Sequence, residues 1–180
     1  MIGVLVSGEG SNLQALLDQG LPIACVASNR ARVRALARAD AAGIPNAAFP
    51  AAQYGSREER DTAMADWLEA HDVRLVVLAG YMHLLRPCFL ERFPDRVINV
   101  HPALLPQFPG AHAIEDALAA GVRVTGATVH YVDEGVDTGA VIAQRQVPVS
   151  DGDTVETLRA RIQAVEHELL PNVVRRLCAL

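Results

Sequence analysis

The sequence predicts an α/β fold: a doubly wound, mostly parallel sheet with antiparallel strands toward the C-terminus. Two observations carry this. Apolar runs rich in β-branched residues alternate with helix-period segments through the first hundred residues, the pattern of parallel strands covered by helices on both faces. The last two apolar runs, by contrast, are joined only by the loop DEGVDTG (133–139), which is too short for a helical crossover. With 180 residues, half of them apolar, the chain fits one domain over 1–180 with one substantial core.

Taken in order, IGVLVS (2–7) reads as a strand and residues 11–19 as a helix with Leu13, Leu16 and Leu17 on one face. IACVAS (23–28) is the next strand. The helix after it, about 32–42, is stopped by Gly43 and Pro45. NAAF is a short extended piece before a helix over 56–71, which opens with Ser56-Arg57-Glu58-Glu59, a capping-box spacing. RLVVLAG (74–80) is nearly continuous in apolar residues, as a strand covered on both faces requires. A short helix around 87–93 leads to the strand RVINVH (96–101). Residues 113–120 form a helix ended by Gly121. TGATVHYV and AVIAQRQVPV are the closing strands, and a helix over about 154–178, with a bend expected at Pro171, completes the chain.

Composition excludes several chemistries. A net charge of −5 argues against a nucleic-acid binder, which needs a basic surface to displace counterions. All 16 cationic side chains are arginine, which removes a Schiff-base lysine, a pyridoxal phosphate anchor and the Walker A lysine. Cys25, Cys88 and Cys178 are odd in number and widely separated, so no disulfide framework is expected. No H-E-x-x-H or Cys/His cluster points to a metal. The N-terminal run is too short to span a bilayer and carries no signal-peptide pattern. A cytoplasmic chain without a membrane partner is therefore expected.

In SGEGSN (7–12), two glycines stand between a strand and a helix. A dinucleotide fingerprint needs a third glycine where Leu13 stands and an acidic residue about 20 positions on. The second strand ends instead at Ser28-Asn29-Arg30. A helix N-terminus with Gly10, Ser11 and Asn12 suits a phosphate monoester, and it equally suits a plain capped turn without a ligand.

The densest polar chemistry lies in INVHPALLPQFPG. Asn99 and His101, two residues apart at the C-terminal end of a strand, share one face, at the end of the sheet where doubly wound folds bind ligands. Histidine serves as acid or base near neutral pH, and an asparagine amide can donate to a developing oxyanion. Asp137, in a tight loop between two glycines, can turn its carboxylate toward His101, with Asp133 and Glu134 as competitors. His130 points from the preceding strand into the same neighbourhood.

GEGSNLQAL, VVLAGYMHLL, INVHPALLPQFPG and VTGATVHYVDEGVDTGAVIAQRQVPV together resemble the phosphoribosylglycinamide formyltransferase family, over about residues 2–171. The resemblance implies a Rossmann-like formyltransferase fold. It also implies formyl transfer from the co-substrate 10-formyltetrahydrofolate to the amine of glycinamide ribonucleotide, without a metal. Asn99, His101 and Asp137 then fall on the catalytic positions, and Gly10, Ser11 and Asn12 on the phosphate-binding ones. Arg57, Met82, His83, Leu84, Leu85 and Asn99 fall on the folate-binding positions, and Glu166 on a ribonucleotide contact. The implied partners are small molecules, with a monomer or homodimer expected. A formyltetrahydrofolate deformylase-like hydrolase is the alternative, and a non-catalytic folate- or nucleotide-binding module the next. Glu9, His83 and Gln107 depart from the family's pattern; Glu9 is tolerable only with its side chain in solvent.

Overall fold

The computed structural model describes residues 1–179. The strands are β1 (Ile2–Val6), β2 (Ile23–Ser28), β3 (Asn46–Ala48), β4 (Leu75–Leu78), β5 (Val97–His101), β6 (Val124–Tyr131) and β7 (Val141–Pro148). The α-helices are α1 (Ser11–Asp18), α2 (Arg34–Ala41), α3 (Arg57–Ala70), α4 (Pro87–Leu90), α5 (Ala113–Ala119) and α6 (Val155–Cys178). Neighbouring strands are hydrogen-bonded in the order β3-β2-β1-β4-β5-β6-β7. The chain divides into two compact units, Met1–Ile98 and Asn99–Leu180, with the boundary inside β5.

In the first unit β1 pairs parallel with β2 and β4, and β2 with β3. Every residue of β1 and β4 is buried, as expected of strands covered on both faces. Each fully buried Leu, Ile or Val contributes about 1.5–3 kcal/mol. Gly80, with φ +78°, follows β4 closely and turns the chain, so this strand is shorter than the apolar run 74–80.

In the second unit β6 and β7 pair antiparallel, with Val124 opposite Pro148 and Val129 opposite Ala143. The long helix α6 packs on both strands. Leu158, Ile162, Leu169, Leu170, Val173 and Val174 supply its buried face. Pro171 lies inside this helix without ending it.

One local expectation changes in detail. Ser56 caps α3 by accepting the Glu59 N–H, but the Glu59 carboxylate reaches back to the N–H of Gly55 rather than that of Ser56. The box is therefore shifted by one residue on its return arm. The complete capping box is at α6, between Thr154 and Thr157.

Candidate functional site

The second unit assembles Asn99, His101, His130 and Asp137. Asn99 and His101 end β5 on one face, and His101 is only 4% exposed. The Asp137 carboxylate meets both imidazoles: Oδ2 is 3.3 Å from His101 Nδ1 and Oδ1 is 3.5 Å from His130 Nε2. Of the three acidic residues in the 133–139 loop, Asp137 is thus the one turned inward. Asp133 instead accepts hydrogen bonds from Thr138 Oγ1 and the Gly135 N–H within the loop.

Backbone geometry explains this choice. Asp137 has φ +54°, a left-handed conformation that Asp and Asn tolerate better than most residues. Two residues on, a Cβ at Gly139 would stand 1.8 Å from the Tyr131 carbonyl oxygen, so only glycine lets the loop close there. The carboxylate then accepts the Gly110 N–H at 2.8 Å. The segment after β5 is tied down as well. Thr128 Oγ1 donates to Ala103 O and accepts from the Leu105 N–H, while Gln144 Nε2 donates to Leu105 O.

These bonds fix the proton arrangement. His101 Nε2–H donates to Phe108 O at 2.7 Å. Its other nitrogen faces Asp137, so a doubly protonated ring satisfies both acceptors. His130 Nδ1 meets Tyr131 O at 2.7 Å, and its Nε2 lies 3.1 Å from the Asn99 amide nitrogen and 3.5 Å from Asp137 Oδ1. The same amide nitrogen lies 3.4 Å from Asp137 Oδ1. Burial pushes the Asp137 carboxyl up, but the bonds from His130 and Gly110 and the two imidazoles outweigh it and hold its pKa below the usual range. The sign follows: this charge adds stability above pH 3.8, its ordinary value, and loses it as pH falls through the lowered one.

The first unit holds the other predicted residues. Gly10, φ +76°, precedes α1, and no side chain caps that helix. The N-cap position is held by Gly10 rather than by Ser11 or Asn12. A Cβ at Gly10 would stand 2.6 Å from Ala35 Cβ and 2.8 Å from Ala35 Cα on α2. Gly10→Ala is therefore expected to cost at least about 2 kcal/mol, since the left-handed backbone alone is worth roughly 1–2 kcal/mol and the collision adds to it. Gly8→Ala, with nothing within 4 Å of the new atom, should stay within about 0.5 kcal/mol. Urea denaturation of both variants checks the pair. Glu9 has a side chain 60% exposed and bridges to Arg34 and Arg38 at 2.8 and 3.0 Å, so it stands in solvent with its charge offset.

Met82 and Leu84 are exposed, His83 is half-buried and Leu85 is buried. Arg57, the first residue of α3, is exposed. Glu166 is buried on α6 in the second unit.

The sequence reading missed a polar network beneath the 82–86 segment. Arg60 and Asp61, 1% and 0% exposed, form an ion pair in which Nε and Nη2 both reach Asp61 Oδ1. Arg60 Nη1 donates to His83 Nδ1 at 2.6 Å. Asp61 Oδ2 accepts the Arg86 N–H, and Ser7 Oγ accepts the Met82 N–H at 2.8 Å. Between them, the Asn29 amide lies 2.6 Å from Ser7 Oγ and 3.1 Å from His83 Nε2. One signal could have revealed the pair: Arg60 and Asp61 stand four residues before Met64 and Ala65, on the helix face that is buried. Burial is the largest cause, followed by the Arg60 charge, that lowers the pKa of His83 below its ordinary value.

Among the described residues no group of three or more His, Cys, Asp or Glu could hold a metal ion, and no helix is long and apolar enough to cross a membrane.

Residues 1–174 match the family described as formyl transferase. The phosphoribosylglycinamide formyltransferase of Mycobacterium tuberculosis is 49% identical over 178 residues, covering 97% of this chain and 83% of that protein. The trifunctional purine biosynthetic protein adenosine-3 of Gallus gallus is 47% identical over 94% of this chain, but the match spans only 18% of that protein. Against the corresponding protein of Chironomus tentans the chain spans 13%. Among solved structures, glycinamide ribonucleotide transformylase 1 from Symbiobacterium toebii is 50% identical, with a TM-score of 0.95 over 97% of this chain and 85% of that one. Family, relatives and fold agree along nearly the whole sequence: the chain belongs to the formyl transferase family.

Proposed function

We propose that this chain transfers the formyl group of 10-formyltetrahydrofolate to the amine of glycinamide ribonucleotide. The observation that carries the reading is the convergence of Asn99, His101 and Asp137 on one hydrogen-bonded cluster, in a chain similar over most of its length to phosphoribosylglycinamide formyltransferases. The substrate amine attacks the formyl carbon, and the carbonyl oxygen becomes a tetrahedral oxyanion. Collapse breaks the bond to N10 of the folate, which takes up a proton as the amine nitrogen loses one. Asn99 and the protonated His101 donate to the oxyanion. Asp137 holds the imidazolium and assists the proton movement through water.

In this reading the uncapped start of α1, at Gly10, Ser11 and Asn12, takes the ribonucleotide phosphate, and Glu166 contacts the same substrate. Met82, His83, Leu84 and Leu85, with Arg57 and Asn99, serve the folate. The family match over residues 1–174 supports one formyltransferase domain over 1–180. The chain then works in the cytoplasm on small molecules, as a monomer or homodimer, with no nucleic-acid or membrane partner.

The purified chain is expected to release tetrahydrofolate from 10-formyltetrahydrofolate only when glycinamide ribonucleotide is present, followed by absorbance. Release without the ribonucleotide would make the chain a hydrolase, and no release under either condition would remove both enzymatic readings.

A further inference from the structure

The 82–86 segment offers two exposed apolar side chains, Met82 at 63% and Leu84 at 49%, on a backbone that buried groups hold at several points. Ser7 holds the N–H of residue 82 and Asp61 that of residue 86. Between them the polar anchor is His83, with Arg60 on one ring nitrogen and the Asn29 amide on the other. We propose that Arg60, His83 and Asn29 form a positioning relay that orders this segment for the formyl folate, and that the relay holds only while His83 is neutral. The proposal rests on the reading of residues 82–85 as the folate-binding segment.

The chemistry of the donors decides the protonation. A guanidinium can only donate, so His83 Nδ1 must accept from Arg60. The Asn29 amide nitrogen stands 3.1 Å from Nε2, and the amide oxygen accepts from Ser7 Oγ at 2.6 Å. Donors thus face both ring nitrogens, and neither offers an acceptor to a second ring proton. A second proton on His83 would place N–H against N–H at Nδ1, 2.6 Å from Arg60, and the grip would break. The charged groups acting on His83 are Arg60, Arg57 and Asp61 from α3 and Arg30 after β2. Three of the four are cationic, so a protonated ring also meets net repulsion. The segment's order is therefore lost as pH falls below 6.5, the ordinary histidine value, because the unfolded or released ring takes a proton that the gripped ring refuses.

His83 touches no reacting atom in this scheme, so its removal should appear in folate binding and not in the chemical step. His83→Ala is expected to raise KM for 10-formyltetrahydrofolate about tenfold, the scale of one lost charge-assisted hydrogen bond, with kcat within about twofold. His83→Gln, whose amide oxygen can accept from Arg60, should restore most of the loss. In the native chain KM for the folate should rise between about pH 8 and pH 5.5, whereas in His83→Gln it should rise far less. An unchanged KM in His83→Ala, a fall confined to kcat, or parallel pH profiles in the native chain and His83→Gln would overturn the relay. Calorimetric titration with tetrahydrofolate separates the two levels. A native chain that binds it, with His83→Ala binding equally well, rejects the relay alone. A native chain that neither binds it nor turns over rejects the folate reading on which the relay depends.

Discussion

Replacing His101 with alanine is expected to lower turnover at least about 10²-fold, the ordinary contribution of a general acid–base group. The imidazole is nearly buried, faces Asp137 at 3.3 Å and donates to Phe108 O. It is thus held in position from both nitrogens before any ligand arrives. Alanine removes an imidazole that can carry a positive charge toward a developing oxyanion while beside a carboxylate. The loss should fall on kcat and kcat/KM alike, because the interaction is made only in the transition state. Asp137 keeps its bond from the Gly110 N–H, so the loop should remain closed and the circular dichroism spectrum unchanged. Steady-state kinetics with both substrates saturating decide the matter, and near-normal turnover would refute the role given to His101.

Asp61→Ala should be the most damaging single change to stability, by about 3–5 kcal/mol, the cost of stripping one partner from a buried ion pair. Arg60 would be left 1% exposed without its carboxylate, and the Arg86 N–H would lose its acceptor. Against a total stability of about 5–15 kcal/mol that is roughly a fifth or more, so the urea midpoint should fall by about 1 M or more. The double variant Arg60→Met with Asp61→Leu should recover most of the loss, because both charges leave together. A single-variant cost below about 1 kcal/mol would show that water reaches the guanidinium. The pair would then be no structural anchor.

The two halves of the sheet differ in how far the sequence announced them. Strands covered on both faces write themselves as unbroken apolar runs, and β1 and β4 lie within such runs. The short loop between β6 and β7 left room for nothing but an antiparallel return. Asn99 and His101 were legible because spacing of two along a strand fixes their common face. Asp137 was legible only as one of three acids, since what selects it is a left-handed backbone and a glycine pressed against Tyr131 O, neither of which composition reveals. The Ser7–Asn29–His83–Arg60–Asp61 network was missed for a related reason. Its members are far apart in sequence, and charges on a helix read as solvent-facing until the helix is docked. The shifted box at α3 went unread because Glu59 can reach either of two adjacent N–H groups, and periodicity does not say which.

The cluster around His101 is, finally, already satisfied by the protein itself. His101 Nε2–H rests on Phe108 O, and the Asn99 amide rests on His130 and Asp137. A ligand that engages these donors must therefore displace existing acceptors, so each bond it makes replaces one it breaks. For a molecule with an oxygen in the right place the exchange is nearly even. For one with a methyl group there, a buried donor is stranded, a penalty of about 1–3 kcal/mol per group. Discrimination here thus works by rejection: the resting bonds set a threshold that poor isosteres fail to clear, whatever apolar contact they gain elsewhere.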